Sequence, residues 1–136
     1  MKILLDTQVI IWYFEINPFL PQKIEAIIDD LDNAIYISAI SLWEISLKLN
    51  IKKLNLKFSL NELFAIIHNS RAIYIPLNDN HIRIYEELPL KKKHNDPFDR
   101  MLISTAIDQD LIFITSDKDI HRYKQVKCIW KKQINF

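Results

Sequence analysis

Glycine occurs nowhere among the 136 residues. A phosphate cradle of the P-loop kind and the dinucleotide-binding fingerprint both need glycine where the backbone approaches a phosphate, so neither can be present. Sharp turns are expected to fall to Asn, Asp, Ser and Pro instead. Cysteine is almost absent too: Cys128 alone cannot close an internal disulfide, and its apolar neighbours mark it as a core residue in a reducing compartment. No apolar run approaches the ~18 to 20 residues of a membrane span. The N-terminus lacks the basic leader and small-residue cleavage site of a signal peptide, so the expectation is a cytoplasmic protein with no membrane partner. Excess charge is lacking as well. With a net charge of +1, no field over the whole molecule advertises a nucleic-acid binder, and that case must rest on local clusters.

What is present is an ordinary globular mixture, 49% apolar and 26% charged, of a length that suits one domain over residues 1–136. The run Lys2-Ile3-Leu4-Leu5 reads as a buried parallel strand that delivers Asp6 to its C-terminal edge. Further strands are expected at Ala34-Ile35-Tyr36-Ile37, Ala72-Ile73-Tyr74-Ile75, Leu111 to Thr115 and Val126 to Trp130, with a short polar tail after them. Helical spacing joins Ile24, Ile27, Ile28 and Leu31 after Pro21, and Leu42, Ile45 and Leu49 after a cap at Ser38 or Ser41. Ser59 and Glu62 form a capping box before the stripe Leu60, Leu63, Phe64 and Ile67. A short helix capped by Asn78 or Asp79 runs through Ile82 and Tyr85 to Leu88. Asp96, Pro97 and Asp99 make a strong helix start. Strands alternating with helices give an α/β sandwich with a mainly parallel sheet.

Open parallel sheets keep their chemistry at the C-terminal edge of the strands. Asp6 and Asp117 follow strands, while Glu44 and Asp99 lie on helices that begin beside them, so four carboxylates are expected near one edge. Like charges gathered that closely raise one another's pKa and need a cation to be tolerable. Oxygen ligands without a Cys or His pair favour Mg²⁺ or Mn²⁺ over zinc or copper. Metal-assisted hydrolysis of nucleic acid is the chemistry suggested.

Four blocks then carry a resemblance: Leu4-Leu5-Asp6-Thr7 with Trp12, Ser38 through Ile45, Asn95 through Leu102, and Ile114-Thr115-Ser116-Asp117. In this order they resemble the signature blocks of PIN-domain nucleases, and most closely the VapC-type toxins of toxin–antitoxin pairs. The resemblance implies a three-layer sandwich whose central, mainly parallel five-stranded sheet has the first strand in the middle. It also implies an endoribonuclease using Mg²⁺ or Mn²⁺, with an RNA substrate, a cognate antitoxin and a homodimeric state. Its acids correspond to Asp6, Glu44, Asp99 and Asp117, as catalytic residues and metal ligands, and its small hydroxyl residue to Thr115. Thr7, Thr115 and Ser116 become candidate donors to the ligands. Gln8 departs from the pattern, standing where many relatives carry His or Asn.

Each acid also has a plain structural reading. Asp99 would favour the helix dipole, Asp117 would cap a turn, and Glu44 would be a solvated surface acid. Asp6 is harder to explain away, because a charge at the end of a buried strand needs compensation. Lys91, Lys92 and Lys93 are either a solvated charge run or a basic rim that binds substrate, and Lys48, Lys52, Lys53 and Lys57 share that ambiguity. None of His68, His81, His94 and His121 shows a paired ligand spacing, so none is assigned to the site. Trp12, Trp43 and Trp130, each within an apolar run, are expected in the core. Two alternatives stand beside the ribonuclease: a nuclease of the same fold with another target, and a noncatalytic metal-binding regulatory domain. A receiver is the obvious example of the latter, but it wants an acid at the tip of the third strand, where Ile75-Pro76-Leu77 lies.

Overall fold

The computed structural model describes residues 1–130; the polar tail expected after the last strand lies outside the described residues. Five strands, β1 (Lys2–Leu5), β2 (Ala34–Ser38), β3 (Ile73–Ile75), β4 (Ile112–Ile114) and β5 (Cys128–Ile129), form one sheet in the order β3-β2-β1-β4-β5. Every pairing is parallel, with Leu4 opposite both Tyr36 and Phe113. The first strand is thus central, and the C-terminal ends of all five strands share one edge.

Period two along the central strand decides what lies on either side. Ile3 and Leu5 face a core built with α1 (Thr7–Phe14), α2 (Gln22–Asp29), α3 (Ala39–Asn50) and α4 (Leu60–Asn69), through Ile10, Ile24, Ile45 and Leu63. Leu4 faces the opposite core, where α5 (Asp79–Glu87) and α6 (Pro97–Gln109) pack through Leu88, Leu102 and Ile103 against Phe113 and Tyr123. Three layers result. Truncating a residue such as Leu4, fully buried between neighbours on the sheet and α6, would cost about 2–5 kcal/mol.

The helix starts follow their caps. Ser38 accepts from the Ile40 N–H, Ser59 and Glu62 close the expected capping box, and Asn78 caps α5. Asp96 accepts from both the Phe98 and Asp99 N–H groups at the start of α6. The stripe on α4 is core, since Leu63 and Ile67 are fully buried.

Some expectations are corrected. Leu31 is exposed because α2 ends at Asp29, two residues before the apolar spacing stops. On α5 the buried face belongs to His81, with Nε2 3.1 Å from Asp108 of α6, whereas Ile82 is half exposed. Left-handed turns fall to Ile16, Lys52 and Asp110 with φ of 54°, 58° and 54°, so only one of the three uses the residue types expected in a chain without glycine.

Candidate metal centre

At the C-terminal edge of the sheet lies a cavity of about 260 Å³ whose lining includes Asp6, Glu44, Asp96, Asp99 and Asp117. The four acids singled out from sequence are brought together there. Asp6 arrives from β1 and doubles as the N-cap of α1, its Oδ1 accepting from the Thr7 N–H at 2.8 Å. Asp117 follows β4. Glu44 sits in the second turn of α3, and Asp99 is the third residue of α6, so two helices aim acids at the place where two strands end.

Hydroxyl groups fasten these acids. Thr115 Oγ1, fully buried, donates to Asp6 Oδ2 at 2.6 Å and accepts from the Asp117 N–H at 3.0 Å, which ties the tips of β1 and β4 together. Thr7 Oγ1 donates to Glu44 Oε1 at 2.7 Å, with Ser41 Oγ 3.0 Å away. The other oxygen of Glu44 receives Lys48 Nζ at 2.9 Å. Glu44 is therefore a buried, paired acid rather than a solvated one. Ser116, by contrast, is exposed at the cavity rim.

The electrostatics follow from burial and crowding. Burial, opposed by the Thr115 and Thr7 hydrogen bonds, raises the Asp6 carboxyl to about 6. Asp99 is pushed up to about 8, first by burial and then by the charges of Asp6, Asp96, Asp117 and Glu44. Groups that resist ionisation in this way are the ones a divalent cation would stabilise as anions. Donor atoms of His94, Asp99 and Asp117 lie within 4.8 Å of one another, a group able to hold a metal ion. The carboxylate majority suits a hard cation.

His94 escaped the sequence reading. It has no ligand spacing with another His, and it reaches the site through a tight turn in which its N–H donates to the Lys91 carbonyl. Its one sequence signal is its place five residues before Asp99. His94 Nε2 lies 3.1 Å from Asp99 Oδ2. The same turn leaves Lys92 and Lys93 exposed, while the Lys91 ammonium rests over the Tyr123 ring at 5.5 Å from its centroid. Of the second lysine group, Lys48 lines the cavity, whereas Lys57 is bound elsewhere, donating from Nζ to the Glu15 carbonyl.

Trp43 is a further correction. It is 60% exposed and meets Phe98 edge-on at 5.0 Å, because the core-facing side of α3 is taken by Leu42 and Ile45. Cys128 is half-buried and burial pushes its thiol up to about 12, which leaves it unsuited to nucleophilic work. Among the described residues no helix is long and apolar enough to cross a membrane.

No curated protein matches the chain. Solved structures do. VapBC2 from Rickettsia felis, bound to a DNA fragment from their promoter, is similar with a TM-score of 0.74 at 23% identity, covering 96% of this chain and 100% of that one. FitAcB from Neisseria gonorrhoeae has a TM-score of 0.65 at 23% identity, covering 94% and 96%. DNA-bound VapBC from Salmonella typhimurium has a TM-score of 0.64 at 18% identity, covering 95% and 97%. Identities this low speak to the fold alone. The PIN domain family model, however, matches residues 3–126, from the first strand to the segment that leads into the last. By that match the chain belongs to the PIN-domain family.

Proposed function

We propose that this protein is a divalent-metal-dependent endoribonuclease and the toxin of a toxin–antitoxin pair. The observation that carries the proposal is the crowding of carboxylates around one cavity, two of them with raised pKa values. Asp6, Asp99 and Asp117 would hold Mg²⁺ or Mn²⁺. When bound, such an ion makes water a better nucleophile and stabilises charge on an attacked phosphodiester.

The chain's own residues would do the rest. Thr115 fixes the Asp6 carboxylate, and Thr7 fixes Glu44. Glu44 would orient the attacking water or hold a second ion, and Lys48 is paired with its other oxygen. Lys92 and Lys93, with Lys91 held back on Tyr123, would grip phosphates of the substrate strand. Ser116 at the rim could contact the same backbone.

An antitoxin partner is proposed because the similar structures are named as VapBC and FitAB assemblies, one of them a VapBC member of the toxin–antitoxin systems. A second copy of the chain would cover the stripe of Trp43 and Leu47 on α3 and Ile51 at its C-cap, which is apolar, exposed and spaced at i, i+4, i+8.

Incubating the purified chain with defined RNA and DNA, in Mn²⁺ or in EDTA, tests the reading. RNA should be cut in Mn²⁺ only, and Asp6→Asn should slow cleavage by more than about 100-fold with the circular dichroism spectrum unchanged. A variant as fast as wild type would remove Asp6 from the mechanism; cleavage of DNA alone would leave the metal chemistry and replace the substrate.

A further inference from the structure

We propose that His94 is a positioning residue for Asp99, held as the Nε2–H tautomer by Tyr123 and Arg100 so that it donates to the Asp99 carboxylate instead of binding the metal. The inference rests on the proposed function for the metal and on four side chains for the rest.

Arg100 is buried in α6, and its guanidinium can only donate. Nη1 donates to the Pro89 carbonyl at 3.0 Å and to the Tyr123 hydroxyl at 2.8 Å, while Nη2 reaches the Leu88 carbonyl at 3.3 Å. These carbonyls follow α5, where the negative end of the helix dipole accommodates a buried cation. The Tyr123 oxygen is thus an acceptor from Arg100, and its own proton needs an acceptor in turn. Tyr123 is 1% exposed, which shuts its hydroxyl off from bulk solvent. Among the described residues, the atom in reach is His94 Nδ1, at 2.9 Å.

An acceptor Nδ1 carries no proton. A neutral imidazole must then carry it on Nε2, where it points at Asp99 Oδ2, 3.1 Å away. The chain of donors runs Arg100, Tyr123, His94, Asp99. If Nε2 were instead a metal ligand, Nδ1 would have to carry the proton and face a hydroxyl that already accepts from Arg100. The buried Tyr123 proton would then have no partner, a state buried polar groups rarely adopt. The closeness of His94 to Asp99 and Asp117 therefore reflects a support for the ligands, in the manner of groups that orient metal-binding side chains from behind.

Long-range ¹H–¹⁵N correlation of the histidine rings in the full chain decides the matter, with His94 assigned by its loss in His94→Gln. Nε2 should be protonated and Nδ1 bare with saturating Mg²⁺, and likewise in the metal-free chain at a pH above the Asp99 value of about 8, where that carboxyl is ionised. A proton on Nδ1, or an Nε2 that loses its proton when Mg²⁺ is added, would overturn the proposal. In parallel, Tyr123→Phe should mix the two tautomers and weaken Mn²⁺ binding about tenfold. His94→Gln, whose amide N–H can reach the same carboxylate, should keep most of the affinity that His94→Leu loses. Equal losses in the two His94 variants would speak for a ligand and against the support. If wild type binds neither cation, the nuclease reading fails, while the tautomer in the metal-free chain still decides whether His94 donates to Asp99.

Discussion

Replacing Thr115 by Val tests how the site is fastened, because the change keeps the shape and removes only the hydroxyl. That hydroxyl donates to Asp6 Oδ2 at 2.6 Å and accepts from the Asp117 N–H, in a position fully shut off from water. A hydrogen bond to a charged group contributes about 1.5–3 kcal/mol, and an orphaned amide adds roughly 1 kcal/mol more. Thr115→Val should therefore lose about 2.5–4 kcal/mol in EDTA. At about 3–5 °C per kcal/mol for a chain of this size, the melting temperature should fall by roughly 10 °C. The same change made in an Asp6→Asn background should cost only about 1.5–2.5 kcal/mol, since the lost bond to residue 6 is then neutral while the orphaned amide remains. The cycle, followed by urea unfolding, isolates the coupling between the two residues. Equal costs in both backgrounds, or a total below about 0.5 kcal/mol, would refute the claim that Thr115 stabilises the anionic form of Asp6.

Two further outcomes are expected. Without metal, Asp99 sits at about 8 against its ordinary 3.8. A carboxyl raised in the fold costs nothing below the unfolded value, progressively more as pH climbs between the two values, and a constant amount above the folded one. Asp99→Asn should accordingly be more stable than wild type in EDTA at pH 8, by about 2–5 kcal/mol, with the advantage gone by pH 4. Melting curves at the two pH values check this, and an advantage independent of pH would refute it. Ile16 has φ of 54° with its side chain 85% exposed, so glycine there removes strain and forfeits little packing. Ile16→Gly should gain up to about 1 kcal/mol, from 1–2 kcal/mol of relieved strain less the extra chain entropy, read from the urea midpoint.

The parts of the molecule legible in the sequence are those where one local rule acts alone. The apolar run before Asp6 has no reading other than a buried strand, and Asp96, Pro97 and Asp99 mark a helix start by their chemistry. What escaped depends on neighbours distant in the chain. His94 reads as one more residue of a basic turn until Tyr123, 29 positions later, supplies the partner for its ring. The buried face of α5 is set by its packing against α6, which encloses His81 beside Asp108 and leaves Ile82 outside. Trp43 looks apolar enough for the core, yet a helix has only one inward face, and Leu42 and Ile45 occupy it. Left-handed turns at Ile16 and Lys52 carry no residue signal because they are imposed by the helices that end just before them.

The bond between Thr115 and Asp6 spans 109 positions. Closing so long a loop is slow and must wait for most of the polypeptide to exist. A nascent protein that has made its first strand, or even its first hundred residues, holds Asp6 without the hydroxyl that steadies it and without Asp117. Competence to cut would therefore arrive late and all at once. On the reading proposed above, cleavage would wait until the fourth strand had docked.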